Sequence, residues 1–263
     1  MQVLRIVCFM AVSGVCLGTS PVVTEKAMAE EGWGKITGQI LFDGEVPKPK
    51  LLAAKGNLQV KDPTICAAND LFSDELIVDP KTKGVANVFV FIHTRTAKGM
   101  KIHPGLQKNK QKEIVFDQKG CRFIPHVMIV RTDQKVIVKS GDGCAHNTHT
   151  TAIFNQERNF LLSPNDRKGV KLSFPKSESL PMPVKCDIHP WMKAHWLIID
   201  HPYAAVTDKN GVFTIDKLPA GEVEFRVWHE RVGYINRKYM VSVQSGGVTK
   251  LGPVKVPAER FHD

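Results

Sequence analysis

Apolar and polar residues alternate with a period of two along most of this chain, and no long amphipathic helix is evident. Lys35-Ile36-Thr37-Gly38-Gln39-Ile40-Leu41-Phe42 reads as a strand that ends at the turn signal Asp43-Gly44, and Pro47-Lys48-Pro49 stops it. Residues 50–84 are mixed and polar, with room for a short helix or two, and Asp79-Pro80 closes them. Val85-Ala86-Asn87-Val88-Phe89-Val90-Phe91-Ile92 is then largely apolar and suits a buried strand, followed by a basic loop over 94–112.

From Glu113 the pattern is strand after strand, punctuated by Gly, Pro, Asn and Asp, which is the rhythm of a β-sandwich. Ile114–Phe116, Arg122–Pro125, His126–Val130 and Lys135–Val138 are predicted strands, and the turn Gly141-Asp142-Gly143 then delivers His146. Phe160–Ser163, Val170–Phe174 and Val184–Cys186 continue the sheets, and Ala194–Asp200 closes them. The predicted fold class is all-β.

Length and composition agree with a folded chain: 263 residues, 43% apolar and 24% charged, suffice for one large or two modest domains. The first 29 residues read as a leader, with Arg5, an apolar run from Val3 to Leu17, and Ala27-Met28-Ala29 as a small-x-small cleavage site before Glu30. The apolar run is too short to span a bilayer. An exported protein, periplasmic or extracellular at the cell envelope, is therefore expected, with no stable membrane insertion once the leader is removed; an uncleaved leader acting as an anchor is the alternative. Without Arg5, Lys26 and Glu25 the formal charge of +10 becomes +9. That excess suits an acidic partner protein or an anionic envelope, with Lys-rich turns such as Lys108-Asn109-Lys110-Gln111-Lys112 reading as solvated loops in the plainer alternative, and no nucleic-acid module accompanies it.

The stretch richest in chemistry is Lys185-Cys186-Asp187-Ile188-His189-Pro190-Trp191-Met192, together with His146-Asn147. A thiolate, two imidazoles and a thioether are the donors of a mononuclear blue-copper site, with two His and one Cys in a trigonal plane and Met weakly axial. Cys186, His189 and Met192 lie within seven residues, so one short loop can aim all three at one point, and His146 is the candidate fourth ligand. A structural zinc site would want a second close Cys or His pair. A Cys–His nucleophile would want an orienting group and an oxyanion donor. Neither is evident.

Four cysteines lie beyond the leader: Cys66, Cys121, Cys144 and Cys186. With Cys186 a ligand, Cys66–Cys121 is the preferred disulfide, closing a loop of about 55 residues worth roughly 4 kcal/mol in the chain-entropy model. Cys144 is left as a buried thiol beside the metal, an alternative bridge partner or an intermolecular link.

Residues 112–200 resemble a cupredoxin of the plastocyanin and amicyanin type. The order of features is similar: Phe123-x-Pro125, His146-Asn147, Phe160-x-x-x-Ser163, Phe174, then Cys186-x-x-His189-x-x-Met192 and a last strand. The resemblance implies one type 1 copper on His146, Cys186, His189 and Met192, with Asn147 tying the two ligand loops together and Pro190 beside the ligands. It also implies that the far edge of the His189 ring faces a redox partner, with Trp191 lining the docking face or capping the sandwich.

The C-terminal part has a second signature. Ala205–Ile215, with the hairpin turn Asn210-Gly211, and Leu218–Glu230 resemble a carboxypeptidase regulatory-like, transthyretin-like β-sandwich. Its usual opening strand, Gly-x-Ile-x-Phe-Asp-Gly in look, is found at 35–44, and 85–92 resembles its next strand. A cupredoxin Greek-key sandwich over 112–200, inserted in or packed beside a discontinuous sandwich built from 33–100 and 201–258, follows as the expectation. Exported bacterial plastocyanin-like and methylamine-utilisation-type proteins are similar.

The expected function is a one-electron carrier cycling Cu(I)/Cu(II), not an enzyme. A β-sandwich adhesion or carbohydrate-binding module with a structural or stored metal is the rival, and a copper enzyme is weaker because no second copper pattern is seen. His126, His149, His195, His201 and His229 read as surface or hydrogen-bonded residues, and a second metal site from His149 and His195 is a minor alternative.

Overall fold

The structure is a computed structural model that describes residues 32–261; the leader expected over 1–29 lies outside the described residues. The fold class is all-β: a sandwich of a five-stranded and a four-stranded sheet packed beside a second β-sandwich of two four-stranded sheets. Among the described residues the helices are single turns, the longest being Pro63–Cys66 and Thr94–Ala97, and no helix is long and apolar enough to cross a membrane.

One sandwich comes from the middle of the chain. A five-stranded sheet carries, in order, Arg158–Leu162, His146–Thr150, Met182–Lys185, Lys193–Ile199 and Val127–Arg131. A four-stranded sheet carries Val170–Ser173, Lys135–Ser140, Glu113–Gln118 and Phe123–Ile124. Alternation sends Phe116, Val136, Val138 and Leu172 from one sheet, and Met128, Val130, Val184, Trp196 and Ile198 from the other, into a shared core.

The second pair of sheets draws strands from both sides of that segment. Trp33–Asp43 pairs antiparallel with Val212–Pro219 and parallel with Val248–Lys250 and Val254–Pro257. Opposite it, Ala204–Val206, Phe89–Phe91, Gly221–His229 and Gly233–Val243 form a four-stranded sheet. Ile36, Ile40, Phe213, Val90, Val223, Phe225 and Val227 fill the space between them. Gly211 makes the tight Asp208–Val212 turn at φ 73°, and a Cβ there would stand 2.2 Å from the Ile40 carbonyl oxygen, so only glycine fits.

The two inner sheets also meet back to back. Phe89, Phe91 and Trp228 on one pack with Val127, Leu197 and Ile199 on the other. This explains the continuous apolar runs: Phe89-Val90-Phe91 and Trp196-Leu197-Ile198-Ile199 are buried on both faces, so alternation disappears. The predicted strand 85–92 is a continuous strand only over Phe89–Phe91, with Val85 in a separate bridge to Val78, although all but Asn87 of its residues are buried, because the left-handed Asn87 at φ 64° interrupts the ladder.

Phe225 touches solvent with 0% of its surface and sits in the core shared by strands from both ends of the described chain. Phe225→Ala should cost about 3–5 kcal/mol. Denaturant unfolding checks this; a loss below about 1 kcal/mol would mean that this core does not hold the distant strands together.

Candidate metal centre

Strand Met182–Lys185 ends one residue before Cys186, and strand Lys193–Ile199 begins one residue after Met192. The intervening loop closes on itself, with Cys186 N–H donating to the Met192 carbonyl at 3.1 Å and Met192 N–H to the His189 carbonyl at 2.9 Å. Lys185 stands opposite His149 on the neighbouring antiparallel strand. Carried along that register, the loop residues lie level with His146, the first residue of strand His146–Thr150.

Asn147 fastens this loop to that strand. Its Oδ1 accepts from the Asp187 and Ile188 N–H groups at 2.7 and 3.4 Å and from the Cys186 thiol at 3.3 Å. Its amide nitrogen donates to Asp187 and to Asn159, each at 2.9 Å. Both ends of the Asn147 side-chain amide are thereby engaged, one with the Cys186 loop and one with Asp187 and Asn159.

The donor atoms of His146, Cys186 and His189 all lie within 4.8 Å of one another. His146 Nδ1 is 2.9 Å from His189 Nδ1, and Cys186 Sγ is 3.8 Å from His189 Nδ1. The two histidines are 0% exposed, and Cys186 and Met192 1%. Met192 packs in the same core as Cys186, while Pro190 is exposed and lines a surface groove with Lys185 and Asp187.

The far side of each ring decides what the centre can do. His146 Nε2 faces Asp142 Oδ2 at 2.8 Å, and His189 Nε2 faces Asp62 Oδ2 at 3.0 Å. An ionised carboxylate only accepts, so each Nε2 carries the proton and each Nδ1 turns a lone pair inward. Two lone pairs 2.9 Å apart beside a thiolate repel unless a cation or proton lies among them. The residues therefore fit a metal that takes nitrogen and sulfur ligands.

Without a metal, protons occupy that position. Burial pushes the Cys186 thiol up, but bonding to His146 and His189 outweighs it and holds the group at about 6. Burial pulls His146 down, and bonding to Asp142 and Cys186 outweighs that and holds it at about 9. Burial opposes ionisation of Asp142, yet bonds from His146, Cys121 N–H and Gly120 N–H keep it below the usual carboxylate range.

His189 departs from expectation. Its outer edge was expected to face a partner, but the ring is buried and its Nε2 is taken by Asp62. Asp62 precedes helix Pro63–Cys66, and Cys66 is disulfide-bonded to Cys121, with Cα atoms 5.2 Å apart. Val60 and Ile65 pack on the central core, so a segment of the mixed polar 50–84 region covers the centre. Nothing in that segment's periodicity pointed there; Asp142, in a Gly-Asp-Gly turn four residues before His146, was easier to see.

Trp191 is half-buried, with its ring 5.3 Å from that of His189 and its Nε1 donating to the Cys121 carbonyl at 3.1 Å. Cys144 is a buried free thiol whose sulfur is 3.6 Å from His146 Nε2. Burial and Asp142 push it up to about 11. His149 and His195 do not meet: His149 bonds Asp187 and Glu157 at 3.0 and 2.6 Å, whereas His195 turns toward Glu230. His201 Nε2 donates to the Ile92 carbonyl at 2.9 Å.

No family model and no curated protein matches this chain. Similar solved structures include a Cu-containing nitrite reductase from Thermus scotoductus SA-01, with 16% identity and a TM-score of 0.30. That match covers 39% of this chain and 26% of the reductase, about a quarter of its length. A reduced Cu(I) amicyanin variant is 17% identical over 35% of this chain and 86% of its own, with a TM-score of 0.29. An oxidised amicyanin variant is 18% identical over 33% and 82%, also with a TM-score of 0.29.

In metal-free protein the ultraviolet absorbance of the Cys186 thiolate should be present at neutral pH and fade as the pH falls through about 6. A difference spectrum against Cys186→Ser reads it directly. A thiol still protonated above pH 8 would contradict the assigned bonding.

Proposed function

We propose that this chain is an exported type 1 copper protein that carries single electrons, the metal being held by His146, Cys186 and His189 with Met192 as a weak axial ligand. The observation that carries this reading is the pair of inward Nδ1 atoms, 2.9 Å apart beside the Cys186 sulfur, with both outer nitrogens tied to carboxylates. Copper in such a set of donors cycles between Cu(I) and Cu(II), and its thiolate bond colours the oxidised state intensely.

The protein's own residues hold that set in place. Asp142 and Asp62 fix the two imidazole tautomers, Asn147 pins the Cys186 loop, and the buried surroundings keep water from the donors. Rigid donors need little rearrangement when charge moves, which suits transfer over turnover. Asp62 covers the His189 edge, so the half-buried Trp191 beside His189 is the aromatic edge offered to a redox partner. The chain's positive charge suits an acidic one. We assign 112–200 to the copper-binding unit, inserted in a carboxypeptidase regulatory-like sandwich formed by 33–100 and 201–258, behind a leader over 1–29.

Protein loaded with Cu(II) should bind one copper per chain with an intense blue or green band, lost in Cys186→Ser because oxygen cannot replace the covalency of sulfur. Absorption and paramagnetic-resonance spectra decide it. A colourless Cu(II) complex would shift the reading to a structural or stored metal.

Two substitutions should move the reduction potential in opposite directions. Met192→Gln offers a harder donor, favours Cu(II) and should lower it. Asp62→Asn removes the negative charge behind the His189 ring, which favours the more highly charged Cu(II), and should raise it. Redox titration of the copper-loaded variants reads both, and a potential unmoved by either would end the carrier reading.

A further inference from the structure

A second cluster of donors lies where the two sandwiches meet, on the opposite face of the central five-stranded sheet from the Cys186 core. His195 stands beside Val127 on adjacent parallel strands, and its N–H donates to the His126 carbonyl at 3.0 Å. The sheet thus sets His126 and His195 side by side. Glu230 reaches them from the other sandwich, in the turn that follows strand Gly221–His229. One carboxylate oxygen bonds His126 Nε2, and the other lies 3.6 Å from His195 Nδ1.

We propose that His126, His195 and Glu230 form a second metal site, for a divalent cation of the zinc class, seated between the two sandwiches. Their three donor atoms lie within 4.8 Å of one another, and the side chains are only 8%, 13% and 7% exposed. Two imidazoles and a carboxylate are a recurrent donor set for such cations.

The polar contacts of the cluster are incomplete without one. His195 Nδ1 is buried with no hydrogen-bond partner, because 3.6 Å is too long for a bond to Glu230. Leaving such an atom unpaired costs about 1–3 kcal/mol. A four-coordinate cation with bonds of about 2.0–2.2 Å would sit between donors roughly 3.3–3.5 Å apart, close to the His195–Glu230 separation already present. The direct His126–Glu230 contact opens as the cation replaces the proton between them.

Neighbouring charges leave Glu230 available. Lys193 Nζ bonds Glu75 at 2.7 Å, and Arg231 lies 3.8 Å from the same carboxylate. The Trp228 ring, 5.1 Å from that of His195, holds the imidazole plane. Burial, reinforced by His126, pulls His195 down to about 4, so at neutral pH its ring has a lone pair to give. A groove lined by Pro183, Lys185, Asp187 and Lys193 reaches His195 from the surface. A cation there binds both sandwiches at once and fixes one against the other.

The test is zinc binding by the full chain, with stoichiometry compared between wild type and Glu230→Gln, His195→Asn and His126→Asn. Because the readout is the difference, it holds whether the Cys186 centre takes copper, zinc or nothing. Each variant should bind one zinc ion fewer per chain, or bind it more weakly by at least the ~10–100-fold that follows loss of an outer-shell partner. Zinc should also raise the melting temperature of wild type by more than that of the variants. Equal zinc stoichiometry and affinity in wild type and the folded variants would overturn the site, leaving the cluster a buried ion pair. Should the variants not fold, X-ray absorption at the zinc edge of wild type decides. A zinc ion with imidazole and carboxylate ligands and no sulfur supports the site; no bound zinc, or sulfur at every bound zinc, overturns it.

Discussion

The apolar layer between the two inner sheets is the contact on which the rest depends. Phe89, Phe91 and Trp228 on one pack against Val127, Leu197 and Ile199 on the other, so the strands that carry them are buried on both faces where the sheets meet. A strand buried on both faces tolerates no polar residue without a partner, which makes the register of Lys193–Ile199 beside Val127–Arg131 strongly specified. The same strand, Lys193–Ile199, starts immediately after the Cys186 loop. Whatever fixes that strand also fixes where the loop begins and ends.

The second constraint is the demand of buried polar groups for partners. His146, His189 and Cys186 have almost no solvent contact, and each inward donor is set by a bond on its outer side or along its backbone. Asp142 is held in turn by Gly120 and Cys121 N–H, at 2.6 and 2.8 Å. Cys121 also carries the disulfide to Cys66, four residues after Asp62, so the bridge joins the two stretches that set carboxylates against the two imidazoles. The geometry at the centre is thus inherited from residues far away in sequence, and it is preorganised before any ligand arrives.

Cys186-x-x-His189-x-x-Met192 was legible because a loop between two strand ends can hold its own donors together, and local spacing is then enough. His146 could be joined to it because the Gly-Asp-Gly turn marks where its strand begins. The alternating strands were legible for the same local reason, and so were the continuous apolar runs, since period and composition are properties of neighbouring residues.

What remained hidden depends on contacts between residues with no sequence relation. Asp62 lies 127 residues before His189, in polar sequence without periodicity, and only the packing of Val60 and Ile65 with the Cys66–Cys121 bridge carries it over the ring. His126 and Glu230 are 104 residues apart and meet only because two sandwiches stack back to back. The sequence by itself determined the class of fold, most of the strands between Glu113 and Ile199, and the close spacing of Cys186, His189 and Met192. The tertiary structure alone decided that His189 is covered, and that two histidines of one sheet share a carboxylate from another, because burial and long-range register belong to the folded whole and not to any window of it.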